Sequence, residues 1–75
     1  MSATVILVYG ICDESVYDRF VRLPGAFAED DGYLCFHTNA KDYMSIARKV
    51  YSLVGAHPMY AEGRLGDLYP LPREW

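Results

Sequence analysis

The sequence predicts one small α+β domain whose elements run strand, helix, strand, strand, helix, strand. Three observations predict it: a β-branched, apolar run from Val5 to Ile11, a segment from Asn39 to Val54 with apolar residues at helical spacing, and an Asp31-Gly32 pair between two apolar runs. A chain of 75 residues holds a single core, which must offset about 1.5 kcal/mol of ordering entropy per residue. With 52% hydrophobic, 15% aromatic and 23% charged residues, it is too apolar to be read as disordered.

Val5-Ile6-Leu7-Val8-Tyr9-Gly10-Ile11 is apolar on both alternations, so it predicts a strand with neighbours on both edges and cover on both faces. Asp13 is placed to cap a helix in which Val16, Phe20 and Leu23 recur at i, i+4 and i+7 and Tyr17 and Val21 widen the stripe. Pro24-Gly25 stops that helix. Ala26 to Glu29 is a short strand and Tyr33 to Thr38 a stronger one. Asp31-Gly32 between them suits a type I′ turn, whose central residues need positive φ, with Glu29, Asp30 and Asp31 at the tip.

The clearest periodicity spans Asn39 to Val54, where Tyr43, Ile46, Ala47, Val50, Leu53 and Val54 share one face and Lys41, Asp42, Ser45, Arg48, Lys49 and Ser52 the other. Asn39 is its expected N-cap and Gly55 the residue that ends it. His57 to Leu65 reads as a last strand, with Pro58 and Gly63 both marks of an edge position. Pro70 and Pro72 then keep the C-terminal tail extended. The domain is expected over residues 1–66 and the tail, packed on the domain or on a partner, over 67–75.

This order is the split β-α-β arrangement called ferredoxin-like, βαββαβ, with two helices on one face. Its weak point is the short second strand. If Ala26 to Glu29 stayed in a loop, a βαβαβ chain with a three-stranded sheet would remain.

The longest apolar run, Val5 to Cys12, falls far short of the roughly 20 residues that cross a bilayer as a helix. No basic stretch precedes it, so it does not read as a secretory signal. Two cysteines, Cys12 and Cys35, are too few for a disulfide framework and suggest reduced thiols in a cytoplasm, away from membranes. Seven Lys and Arg against ten Asp and Glu give a net charge of -3, the wrong sign for binding nucleic acid.

The sheet face away from the helices is the informative one. If Leu34 and Phe36 point to the core, Tyr33, Cys35 and His37 point the other way. The first strand offers that side either Val5, Leu7 and Tyr9 or Ile6, Val8 and Gly10, both apolar. Such a patch calls for a cover: the tail folding back with Leu68, Tyr69, Leu71 and Trp75, a second copy in a homodimer, or a different protein.

Catalytic and cofactor chemistry find little support. Cys35 and His37 share a strand face, but no Cys-x-x-Cys or His-x-x-x-His spacing completes a metal site. Cys12, ahead of a helix N-terminus, is the better candidate for a reactive thiol, with His37 and His57 as the only imidazoles; a structural thiol is the simpler reading. Gly10 stands alone, with no phosphate-binding glycine motif and hence no cofactor expected. Gly32-Tyr33-Leu34-Cys35-Phe36 overlaps the RNA-recognition pattern only in part, lacking its basic residue and second stacking aromatic.

The reading that remains is a non-enzymatic protein-interaction module without catalytic residues, rich in tyrosine, with seven in the chain. Small size, acidity and the lack of a cofactor motif fit a virus-encoded inhibitor of a host or defence complex. Glu29, Asp30, Asp31, Tyr33 and Trp75 would then meet the partner, the carboxylates facing a basic surface. The alternative is a small-ligand-binding or regulatory homodimeric domain, with Tyr9, Tyr33, His37 and Tyr60 lining the ligand face.

Overall fold

The computed structural model of the protein describes residues 4–10, 13–29 and 32–71. Seven elements follow in order: β1 (Thr4–Tyr9), α1 (Glu14–Phe20), β2 (Ala26–Ala28), β3 (Leu34–Asn39), α2 (Tyr43–Val54), β4 (Tyr60–Gly63) and β5 (Leu68–Tyr69). The strands form one sheet in the order β2-β3-β1-β4-β5, with every neighbouring pair antiparallel. β1 is interior, as its doubly apolar sequence requires: Leu7 lies opposite Phe36 on one side and Ala61 on the other.

Both helices pack on one face. Val5, Leu7 and Tyr9 of β1, Leu34 and Phe36 of β3 and Ala61 of β4 meet Phe20 of α1 and Tyr43, Ala47, Val50 and Val54 of α2 in a single apolar cluster. Phe20 sits at its centre, edge-on to Tyr9 at 4.9 Å and to Phe36 at 6.4 Å between ring centroids. α1 starts at its predicted cap, where the Asp13 carboxylate accepts the Ser15 N–H at 2.9 Å and the Ser15 hydroxyl at 2.6 Å. α2 starts later than its pattern suggests. Asn39 belongs to the end of β3, and its side-chain oxygen accepts the N–H groups of Lys41 and Asp42, which holds a turn before the helix begins at Tyr43.

Ala26–Ala28 pairs with β3, in keeping with the leading order, and sets aside the three-stranded alternative. Two other expectations are corrected. The β2–β3 pairing closes at Glu29 and Tyr33 and not at the ends of a two-residue type I′ turn: Glu29 N–H donates to Tyr33 C=O at 2.8 Å and Gly32 N–H to Glu29 C=O at 3.0 Å, with Gly32 at φ 88°. The expected last strand is not an edge. Gly63 N–H donates to Asp67 C=O at 2.7 Å and Gly66 N–H to Gly63 C=O at 2.9 Å, with Gly66 at φ 85°, so a three-residue loop closed by the same pair of bonds turns the chain back into β5. Such loops place glycine at the left-handed position that other residues rarely adopt.

Gly63 has a packing reason as well as a strand position. A Cβ there would lie 2.7 Å from Cε2 of Tyr69, so the missing side chain makes room for that ring. Tyr69 in turn stands edge-on to Tyr43 at 5.5 Å, and the Tyr43 hydroxyl donates to Pro70 C=O at 2.8 Å. Tyr69 and Leu71 thus pack against the helix-side cluster, and the described part of the tail does not lay them over the opposite face. Leu68 points away and is exposed; Trp75 lies outside the described residues, as do Cys12, Asp30 and Asp31.

Candidate functional site

Because β1 sends Val5, Leu7 and Tyr9 inward, alternation leaves Ile6 and Val8 for the helix-free face. The strand registers arrange that face in rows. Phe27, Cys35, Val8 and Tyr60 form one row across β2, β3, β1 and β4, and His37, Ile6 and Glu62 the next. Glu29 and Tyr33 form the row beyond, at the β2–β3 loop.

The centre of this face is dry although no helix covers it. Val8 is 4% and Cys35 3% exposed, while Tyr33, Tyr60 and Met59 around them are 38%, 37% and 55% exposed. Met59 donates its N–H to Val8 C=O at 2.7 Å, and its sulfur lies 2.6 Å from where a Cβ on Gly10 would stand, so the thioether lies over the bare backbone of Gly10. Phe27 and His37 pack edge to face at 4.5 Å.

Two shallow depressions share Ile6 and Glu62. The first, about 180 Å³, has Ile6, Val8 and Cys35 as its floor, Tyr33 and Tyr60 beside it and Glu29 and Glu62 in its lining. The second, about 430 Å³, adds Thr4, His37 and Arg64. Glu29 therefore lies towards the β2–β3 loop, and Glu62, which lines both depressions, is joined at the other end by His37 and Arg64.

Of the expected partner residues, Glu29 and Tyr33 come together on this face; Asp30, Asp31 and Trp75 lie outside the described residues. Of the expected ligand face, Tyr33, His37 and Tyr60 share it, but Tyr9 does not. Its ring is wholly buried on the helix side against Phe20, and its hydroxyl has no hydrogen-bond partner among the described residues. Burial accordingly raises the Tyr9 phenol well above its ordinary pKa of 10.0. Sequence reasoning missed Ile6 as the chosen alternation, Glu62 and Met59. Glu62 was legible, since Ala61 as the small core residue of Tyr60-Ala61-Glu62 places both neighbours outward; nothing in the sequence signals Met59.

Among the described residues no group of three or more His, Cys, Asp or Glu is placed to hold a metal ion, and no helix is long and apolar enough to cross a membrane. Comparison with protein-family models, curated proteins and solved structures finds no match to this chain.

Proposed function

We propose that this protein is a non-enzymatic interaction module that docks a basic surface of another protein on the helix-free face of its sheet. The observation that carries the reading is the pair of part-exposed Tyr33 and Tyr60 beside the dry Val8–Cys35 centre, bordered by Glu29 and Glu62, with Met59 over Gly10. A desolvated centre, aromatic and methionine side chains and a polar border are the composition of a protein interface. Tyrosine suits it because a large amphipathic ring is fixed at the cost of few rotamers. The net charge of -3 would speed encounter with a basic partner and make that encounter salt-sensitive.

A small acidic domain of this kind suits a blocking role, such as a virus-encoded inhibitor of a host or defence complex in a cytoplasm. The strand order β2-β3-β1-β4 supports a ferredoxin-like frame for the first four strands, with β5 as an addition. A second reading has its own observation: the depression beside His37 and Arg64, about 430 Å³, falls in the roughly 300–1,000 Å³ range of small-molecule sites. A ligand there would raise the melting temperature in a metabolite panel.

Affinity capture from lysate separates the readings. The wild-type chain is expected to retain one stoichiometric partner that Tyr33→Ala with Tyr60→Ala loses and Leu53→Ala, on the helix side, keeps. Equal capture by the tyrosine variant, or loss with Leu53→Ala, sinks the assignment of the face.

A further inference from the structure

The 180 Å³ depression is too small for a metabolite, whose sites run roughly 300–1,000 Å³, and its shape follows from the register. Glu62 lies opposite Ile6, whereas Glu29 pairs with Tyr33, one residue beyond the Tyr9–Leu34 pair. The two glutamates are thus three strands and four residues apart, about 20 Å between backbones at strand spacings of about 4.8 Å and a rise of about 3.3 Å per residue. Both side chains line the same depression, so it is a diagonal trough with a carboxylate towards each end, an apolar floor and tyrosines beside it.

We propose that this trough seats an extended basic segment of a protein partner with the pattern basic, any, apolar, any, basic. In an extended chain, residues i, i+2 and i+4 point to one side and the outer two stand about 13 Å apart at the backbone. Their long side chains and the two inward-lining glutamates span the remainder. The central apolar residue meets Ile6 and Val8, and the cations meet Glu29 and Glu62. Arginine fits better than lysine, because its planar guanidinium both pairs with a carboxylate and stacks on a tyrosine ring. A second copy does not supply the segment: no Lys or Arg in this chain stands four residues from another.

The inference deepens the proposed docking face and rests on it. The test is a titration of the isotopically labelled full-length chain, followed by amide chemical shifts, with a capped synthetic peptide carrying arginine, serine, leucine, serine and arginine in that order. Shifts are expected around residues 6, 8, 29, 33, 35, 60 and 62. Binding should weaken several-fold between 50 and 200 mM salt, and at least tenfold when citrulline, an uncharged analogue, replaces both arginines. The Glu29→Gln, Glu62→Gln double variant should lose binding by a similar factor; the citrulline arm uses the wild-type chain and needs no variant to fold. Equal binding of the citrulline peptide, shifts centred elsewhere, or no shifts at all overturns the proposal. If the peptide fails while partner capture still depends on Tyr33 and Tyr60, the trough assignment falls and the docking face stands; if capture ignores those tyrosines, the docking face falls and the trough assignment, which rests on it, falls with it.

Discussion

The two faces of the sheet exclude water by different means. On the helix side, Phe20 and α2 close over β1 and β3, and the aromatic cluster of Tyr9, Phe20 and Phe36 is shut. That side also has a groove of about 220 Å³ between Leu23, Pro24, Ile46 and Leu53, with Lys49 as its charged residue. On the open side, Val8 and Cys35 are as dry as core residues, yet Tyr33, Tyr60 and Met59 beside them stay half exposed. Burial on the helix side stabilises the fold, whereas on the other face Tyr33 and Tyr60 keep more than a third of their surface exposed. An apolar strand face therefore has to be judged by what remains exposed around it, not by whether its central residues are buried.

The largest expected effect comes from breaking the closed side. Phe20→Ala should cost about 3–5 kcal/mol, a large part of the roughly 5–15 kcal/mol available to a domain, while Tyr60→Ala should cost less than about 1 kcal/mol and be felt in binding instead. Urea denaturation of both variants, read by far-UV circular dichroism, checks the contrast; similar losses would mean that the open face is also structural.

Two glycines sharpen the same comparison. Gly63→Ala puts a methyl 2.7 Å from a ring carbon of Tyr69, which is held by Tyr43, whereas Gly10→Ala meets the flexible and exposed end of Met59. Displacing the ring should cost about 1–3 kcal/mol, and Gly10→Ala clearly less, because the thioether can swing into solvent. The order of the two melting temperatures is the readout, and a reversed order would show that Met59 is the more firmly held side chain.

Tyr9→Phe removes a buried hydroxyl that has no partner among the described residues and should stabilise by about 1 kcal/mol. The pH dependence has a definite sign. Burial raises the Tyr9 phenol, and burial followed by the neighbouring Tyr69 raises that of Tyr43. Above the ordinary tyrosine value of 10.0 the unfolded chain loses these protons and the folded chain keeps them, so stability is full below that pH and falls as pH rises further. Melting curves from pH 8 to 11.5 should fall less steeply for Tyr9→Phe; parallel curves would remove Tyr9 from the alkaline transition.

The smallest effect lies at acid pH. The carboxyl of Asp13 is held below its ordinary 3.8 by the Ser15 hydroxyl first and by backbone N–H groups of Ser15 and Val16 next. Its contribution is present above that value and lost as pH falls through the lowered one. Asp13→Asn keeps a capping residue and should flatten the pH 2–4 part of the melting profile slightly, leaving pH 7 nearly unchanged; an equally steep acid limb in the variant would remove Asp13 as its cause.

What was legible in the sequence follows the strength of the local signals. β1 was legible because apolar residues on both alternations require two partners and two covers, and α2 because its stripe repeats at 3.6 residues. β5 was not. Two residues carry no periodicity, and the glycine of Leu65-Gly66-Asp67 announces a left-handed loop only once Gly63 is known to pair with Asp67. Tyr9 was placed on the wrong side for a related reason: a strand that is apolar on both faces does not say which alternation meets the helices. Phe20 decides it, through a contact distant in sequence. That Glu29 and Tyr33 lie side by side was legible because a hairpin loop fixes its own neighbours, whereas their union with Tyr60 and Glu62 needed the β1–β4 register.

The central claim is that partners meet the helix-free face. Its most direct test places the photoreactive residue benzoylphenylalanine at position 60, or at position 53 on the helix side, in the full-length chain and irradiates it in lysate of its native or host cell. The account predicts one discrete cross-linked partner from position 60 and none from position 53. A partner trapped from position 53 alone would contradict it and move the interface to the helices.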